Sequence, residues 1–196
     1  MNAFPQTHRN LAWLLATGQL TQYGGYLDDG YYRKGIAKSY TVLTAGQYSG
    51  STNITLNGKT DAHSNACVYD NNTHLMWSRT SSGSVGPNSN GTLPWTTNAN
   101  GEGIFAFCAA ANTAGLAGYS DWRVPKPTEL YTLVIGEAPS GGLDAAAFPG
   151  GLGNCWSSMT RPDSTADAVQ LATSAGAANT VVKTTNRVLI LVRGGR

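Results

Sequence analysis

Few residues in this 196-residue chain could carry reaction chemistry, and they stand far apart. His8, His63 and His74 are its three histidines, and none falls in the His-x-x-x-His or His-Glu-x-x-His spacing that sets two metal ligands on one helical face. Cys155, in "NCWSS", is of the right type for a nucleophile, but no basic neighbour or helix N-terminus stands beside it to lower the thiol pKa. Glu102, Glu129 and Glu137 each fit the end of a helix. Asp70, Asn71 and Asn72 suit a turn, and they supply too few acidic oxygens for a calcium loop. The expectation is a protein that is not an enzyme, with no metal and no cofactor.

The stretch "GYSDWRVPKPTEL", Gly118 to Leu130, is the densest set of functional residue types. Its second half reads as a helix start: Pro127 at the first helical position, Glu129 at the third, where a carboxylate reaches unpaired N–H groups. Lys126 falls at the cap, where its side chain cannot accept a hydrogen bond. Asp121 and Arg123, two apart, are expected to bond the turn backbone or each other, with a ligand role as the alternative and Trp122 in the core.

Binding chemistry has better candidates. A long polar segment, residues 80–103, carries Asn88, Asn90 and Trp95, and long loops in compact domains tend to be functional or disordered. Trp95 suits either a core anchor or an exposed contact. Arg161 and Asp163 lie in the turn after "CWSSM". Carboxamides and one aromatic ring suit a neutral glycan better than a polyanion. Charge agrees, since only 12% of residues are charged and the formal net charge is +2, without the clustered basic face of a nucleic-acid binder.

The elements that must position these residues follow from periodicity and punctuation. Residues 1–60 read as an extended arm: "HRNLAWLLATG" has an apolar run of six residues, too short for a signal-peptide core or a membrane span. The glycine-punctuated pieces after it need a partner surface, either the rest of the chain or another copy. "ACVYDNNTHLMWSR" reads as two short strands about a turn. Ile104, Phe107, Cys108 and Ala111 make one apolar face of a helix near 101–115, with Asn100 as its cap and Gly115 at its end. A second helix runs near 127–135. "NCWSSMT", "DAVQLAT", "NTVVKTT" and "RVLILVR" are four strand-length pieces, the last apolar on both faces like a covered central strand. Helices followed by short strands indicate an α+β domain with antiparallel sheet over residues 61–196. Trp77, Trp122, Trp156, Phe107 and Ile190 are the expected core. The three cysteines, Cys67, Cys108 and Cys155, read as small buried thiols; a Cys108–Cys155 bridge stays open.

Three segments together resemble one family. "VYDNNTHLMWSR" is similar to its Asp–x–x–Thr–Gly–Leu–Met–Trp strand, with His74 where glycine is usual. "GYSDWRVPKPTEL" is similar to its Gly–x–x–Asp–Trp–Arg–Leu–Pro–x–x–x–Glu–Leu turn, and "FPGGLGNCWSSMT" with "VLILVRGG" to its closing strands. The family is the Lcl C-terminal-like domain of bacterial and phage proteins, named for a collagen-like adhesin. The resemblance implies a C-type-lectin-like fold, glycan attachment and trimers. The Glu–Pro–Asn, Gln–Pro–Asp and Trp–Asn–Asp signatures of calcium-dependent lectins are absent, so the likeness concerns shape. The expectation is a phage virion surface or tail protein that attaches to a host receptor. Residues 1–60 would dock it to other virion proteins and assemble a homotrimer, without nucleic acid or membrane insertion. The alternatives are a structural decoration or cement protein of the virion and a bacterial surface adhesin.

Overall fold

A computed structural model describes residues 15–16, 19, 22, 25, 27–32, 35–44, 46–51, 53–57, 59–62, 67–79, 92–135, 142–148, 153–173 and 176–194. In chain order the elements are α1 (Asp29–Tyr32), β1 (Tyr40–Leu43), β2 (Asn53–Leu56), β3 (Lys59–Ala62), β4 (Cys67–Asp70), β5 (Leu75–Ser78), β6 (Thr92–Pro94), α2 (Ile104–Ala114), α3 (Pro127–Leu133), β7 (Asn154–Thr160), β8 (Asp167–Ala172), β9 (Ala177–Val182), β10 (Asn186–Val188) and β11 (Val192–Gly194). They form an α+β fold with a four-stranded sheet, β1-β4-β5-β11, a five-stranded sheet, β6-β10-β7-β8-β9, and the β2-β3 hairpin. Among the named strands pairing is antiparallel except for the parallel bridge from Val188 to Cys155; the isolated bridges Leu15–Ile36 and Ser51–Leu116 are parallel too.

The β4–β5 hairpin turns as its residues require. The Asp70 carboxylate, itself buried, accepts the N–H groups of Asn72 and Thr73 at 2.9 and 3.2 Å. His74 then takes φ 60°, the left-handed region that disfavours a Cβ. That conformation explains why glycine is usual here, and the His74 ring finds a use by meeting the Tyr69 hydroxyl at 2.9 Å.

Helix α2 starts at Ile104, three residues later than the sequence suggests, and Asn100 does not cap it. Asn98 organises the approach instead: its Oδ1 accepts the N–H groups of Asn100 and Glu102, each at 2.9 Å. Gly115 ends the helix in the left-handed region at φ 63°. Helix α3 starts as expected at Pro127, and Glu129 accepts the Lys126 N–H at 2.8 Å. That is the carboxylate half of a capping box; a lysine ammonium cannot supply the other half.

"RVLILVR" is not one strand. Val188 ends β10 in the five-stranded sheet and Val192 begins β11 in the four-stranded one, so the segment passes from sheet to sheet. Its alternation divides the core. Leu189 and Leu191 pack with Ile104, Phe107, Cys108 and Ala111 of α2, with Trp122 and Trp156. Ile190 and Val192 pack with Leu130 and Leu133 of α3, with Trp77 and Phe148. The five expected core residues are all buried, in two clusters joined by this crossing.

The partner surface needed by residues 37–57 is the rest of the chain. β1 is the outer strand of the four-stranded sheet, in register with β4, and Asn71 and Asn72 bind the backbone just before it at Ser39 and Ala37. Ile54 is 1% exposed in the α2 cluster. Ser51 N–H donates to the Gly115 carbonyl, and Ala117 N–H to the Ser51 carbonyl. Contact there is so close that a Cβ at Gly50 would overlap the Gly118 backbone. The apolar run from Leu11 to Ala16 falls mostly outside the described residues.

Candidate functional site

Trp95 and the Arg161–Asp163 pair stand beyond strand ends of the five-stranded sheet, on segments linked through Lys183, Ala166 and Asp167, and among the described residues no bond joins Trp95 to Arg161 or Asp163. The Lys183 carbonyl accepts the Trp95 N–H at 2.8 Å, the Lys183 N–H donates to Ala166 at 2.9 Å, and the Arg161 N–H donates to Asp167 at 3.0 Å. These bonds link the segments after β6, β7 and β9 to the start of β8. Asn88 and Asn90 lie outside the described residues.

Trp95 is half-buried. Its indole N–H donates to the Ser157 carbonyl at 2.9 Å, and Phe105 meets it edge-on with ring centroids 4.8 Å apart. The Lys183 ammonium stands 4.1 Å from the ring centroid, a cation–π contact. The ring is therefore held on several sides and acts as an anchor for the surface, while Phe105 carries the solvent-facing aromatic area at 45% exposure.

Arg161 binds Asp163 through two hydrogen bonds, at 2.5 and 2.8 Å, and reaches Asp167 at 3.6 Å. The hydrogen bond from Arg161 holds the Asp163 carboxyl below its usual range and raises the guanidinium in turn. Two carboxylates, Arg161 and Lys183 leave this patch without net charge. Phe105 and Trp95 offer an aromatic edge, and the Arg161–Asp163 pair offers fixed donors and acceptors.

The residues of the Gly118–Leu130 stretch do other work. Asp121 and Arg123 do not bond each other. Asp121 binds Arg193 at 2.6 Å, and that hydrogen bond holds its carboxyl low; the Arg193 guanidinium also stacks 3.5 Å over Tyr119. Arg123 grips Glu129 with two bonds at 2.7 Å. Burial works against the Glu129 carboxylate, but Arg123 and the Lys126 N–H together keep it below its usual range. Arg123 also exchanges two backbone bonds with Val192, each at 2.9 Å, which covers the outer side of β11. Trp122 is buried, with its N–H and carbonyl both held by the Asn112 carboxamide at 2.7 and 2.9 Å.

Phe105, Lys183 and Asp167 complete the patch and were not singled out by sequence reasoning. Phe105 had a signal: it is an aromatic residue one position off the apolar stripe of α2. Lys183 and Asp167 had none, because their place depends on pairing distant in sequence. The three cysteines are free and buried. Burial pushes their thiols up, Cys67 to about 12, Cys108 to about 11 and Cys155 to about 12, far from the thiolate needed for attack at neutral pH. Among the described residues, no three His, Cys, Asp or Glu side chains gather as metal ligands, and no helix is long and apolar enough to cross a membrane.

No curated protein matches the chain. The family profile of the Lcl C-terminal domain matches residues 66–193, from the β4–β5 hairpin to the closing strand β11. Within that span lie the five-stranded sheet, three strands of the four-stranded one, the Asp121–Trp122–Arg123 turn, Trp95 and Arg161. The chain belongs to the Lcl C-terminal domain family.

Proposed function

We propose that this chain is a phage virion surface or tail protein that holds a lectin-like domain toward the host and attaches to a neutral surface glycan. The family match over residues 66–193 carries the reading, since it supports a surface, adhesin-like role. The surface of Phe105, Trp95, Arg161 and Asp163, without net charge, is where contact forms, with Asn88 and Asn90 contributing from the preceding segment. Residues 1–36 dock the domain to other virion proteins and to two further copies. The protein works by binding, without a catalysed reaction.

A fluorescently labelled chain added to host cells tests this. Binding is expected to be displaced by neutral oligosaccharide and to change little between about 0.05 and 0.5 M salt, because a neutral ligand releases no counterions. Binding that collapses with salt would overturn the neutral-glycan assignment. A second reading, a decoration protein that only covers the particle, is favoured by the way Trp95 is tied down by Ser157 and Lys183. It predicts retention on particles with no binding to cells.

A further inference from the structure

We propose that Arg187, Gln170 and Asn179 form a carboxylate-binding site on the five-stranded sheet, suited to the acid group of a uronic-acid sugar. Gln170 on β8 is the register partner of Asn179 on β9 and of Trp156 on β7. Its side chain therefore shares with Asn179 the sheet face whose Trp156 and Ala168 pack with α2. Arg187 reaches Gln170 from β10, across β7. Gln170 is 4% exposed, while Arg187 is half-buried and Asn179 is exposed.

Chemistry fixes the direction of each bond in this row. A guanidinium can only donate, so the Gln170 atom that meets Arg187 Nε at 2.6 Å is the amide oxygen. The Gln170 nitrogen then donates to the Asn179 oxygen at 2.6 Å, which turns the Asn179 NH2 group away from it. Of the five N–H groups of Arg187, Gln170 takes one and the Asn186 carbonyl another at 3.0 Å, so three remain. Among the described residues, nothing accepts from those three or from the Asn179 NH2. Both ends of the row offer only donors, and one end is a cation. Three other arginines differ: Arg123 is closed by Glu129, Arg161 by Asp163 and Arg193 by Asp121. Arg187 is closed by a neutral amide, and among the described residues no carboxylate pairs with it.

The ligand follows from that donor set. A carboxylate brings one negative charge and two acceptor oxygens in a plane, one for the guanidinium and one for the Asn179 NH2. A neutral hydroxyl would leave the charge unmatched. The bond from Nε to a buried amide holds the guanidinium before any ligand arrives, so little side-chain freedom is lost on binding. The site is independent of the neutral-glycan reading, since its ligand is charged and its readout is the purified chain with a free sugar acid, not attachment to cells.

Titration of the full chain with sodium glucuronate, read by saturation-transfer NMR on the sugar, tests it, with glucose and sodium sulfate as controls. Glucuronate is expected to bind about tenfold or more tighter than glucose and to resist displacement by equimolar sulfate. Asn179→Asp keeps an oxygen to accept from Gln170 but sets a negative charge where the ligand's would sit. Arg187→Lys keeps the charge and loses the planar fork. Each is expected to weaken glucuronate about tenfold or more, and Asn179→Asp, on an exposed strand position, to leave the melting temperature unchanged. Glucuronate bound no tighter than glucose, sulfate bound equally well, or binding undiminished in either variant would overturn the proposal.

Discussion

Lys38 shows how one side chain can fasten a segment to a domain. It stands just before β1, and its ammonium donates to the Thr132 carbonyl in the last turn of α3, where the helix dipole favours a cation. Burial lowers its pKa to about 8, a shift that the Asp70 carboxylate opposes. The unfolded chain keeps this proton up to about 10.4. Between these values the unfolded state binds more protons, so the contribution of Lys38 to stability rises with pH across that window. Competitive acylation of the amines, read by mass spectrometry, should give Lys38 a labelling midpoint near pH 8. A midpoint near 10.4 would put the ammonium in solvent, away from Thr132. At the same scale, His74 was legible as a departure from the glycine usual in the family, and its φ of 60° gives the reason for that glycine. The Asn112 clamp on Trp122 was not legible, because an asparagine inside an apolar helix looks the same whether it faces solvent or a backbone ten residues away.

Elements were legible where local periodicity was strong. The hairpin from Cys67 to Ser78, both main helices and strands β7 to β9 stand close to where their apolar spacing and turn residues put them. Two features escaped for one physical reason, which is that long-range pairing leaves no local mark. A run such as "VLILV", apolar on both faces, has the same pattern as a covered strand and as a crossing between two sheets. "YTVL" and "NITL" have too little alternation to show that they complete a sheet and a core, yet β1 and Ile54 do so. Truncation separates these roles. Removing residues 1–35 should leave the melting temperature of the domain within a few degrees. Removing residues 1–61 strips β1 and Ile54, and it should cost at least the roughly 2–5 kcal/mol of a large-to-small core substitution. Equal stability of the two truncated chains would show that residues 36–61 are only an appendage.

For the whole molecule, the two sheets share one crossing segment, and rigidity at the Trp95–Arg161 patch comes from bonds among strands far apart in sequence. The proposed contact surface, held this way, would lose little on binding. Its candidate residues were legible by type, but their meeting through Lys183 and Ala166 was not. Arg161 and Asp163 bond each other at an exposed turn, so removing both leaves little stability to lose. The most direct measurement is attachment of the labelled Arg161→Ala, Asp163→Ala double variant to host cells, beside its melting temperature. The prediction is binding weakened about tenfold or more, with melting unchanged. Binding equal to that of the parent chain, with melting unchanged, would contradict attachment through this patch.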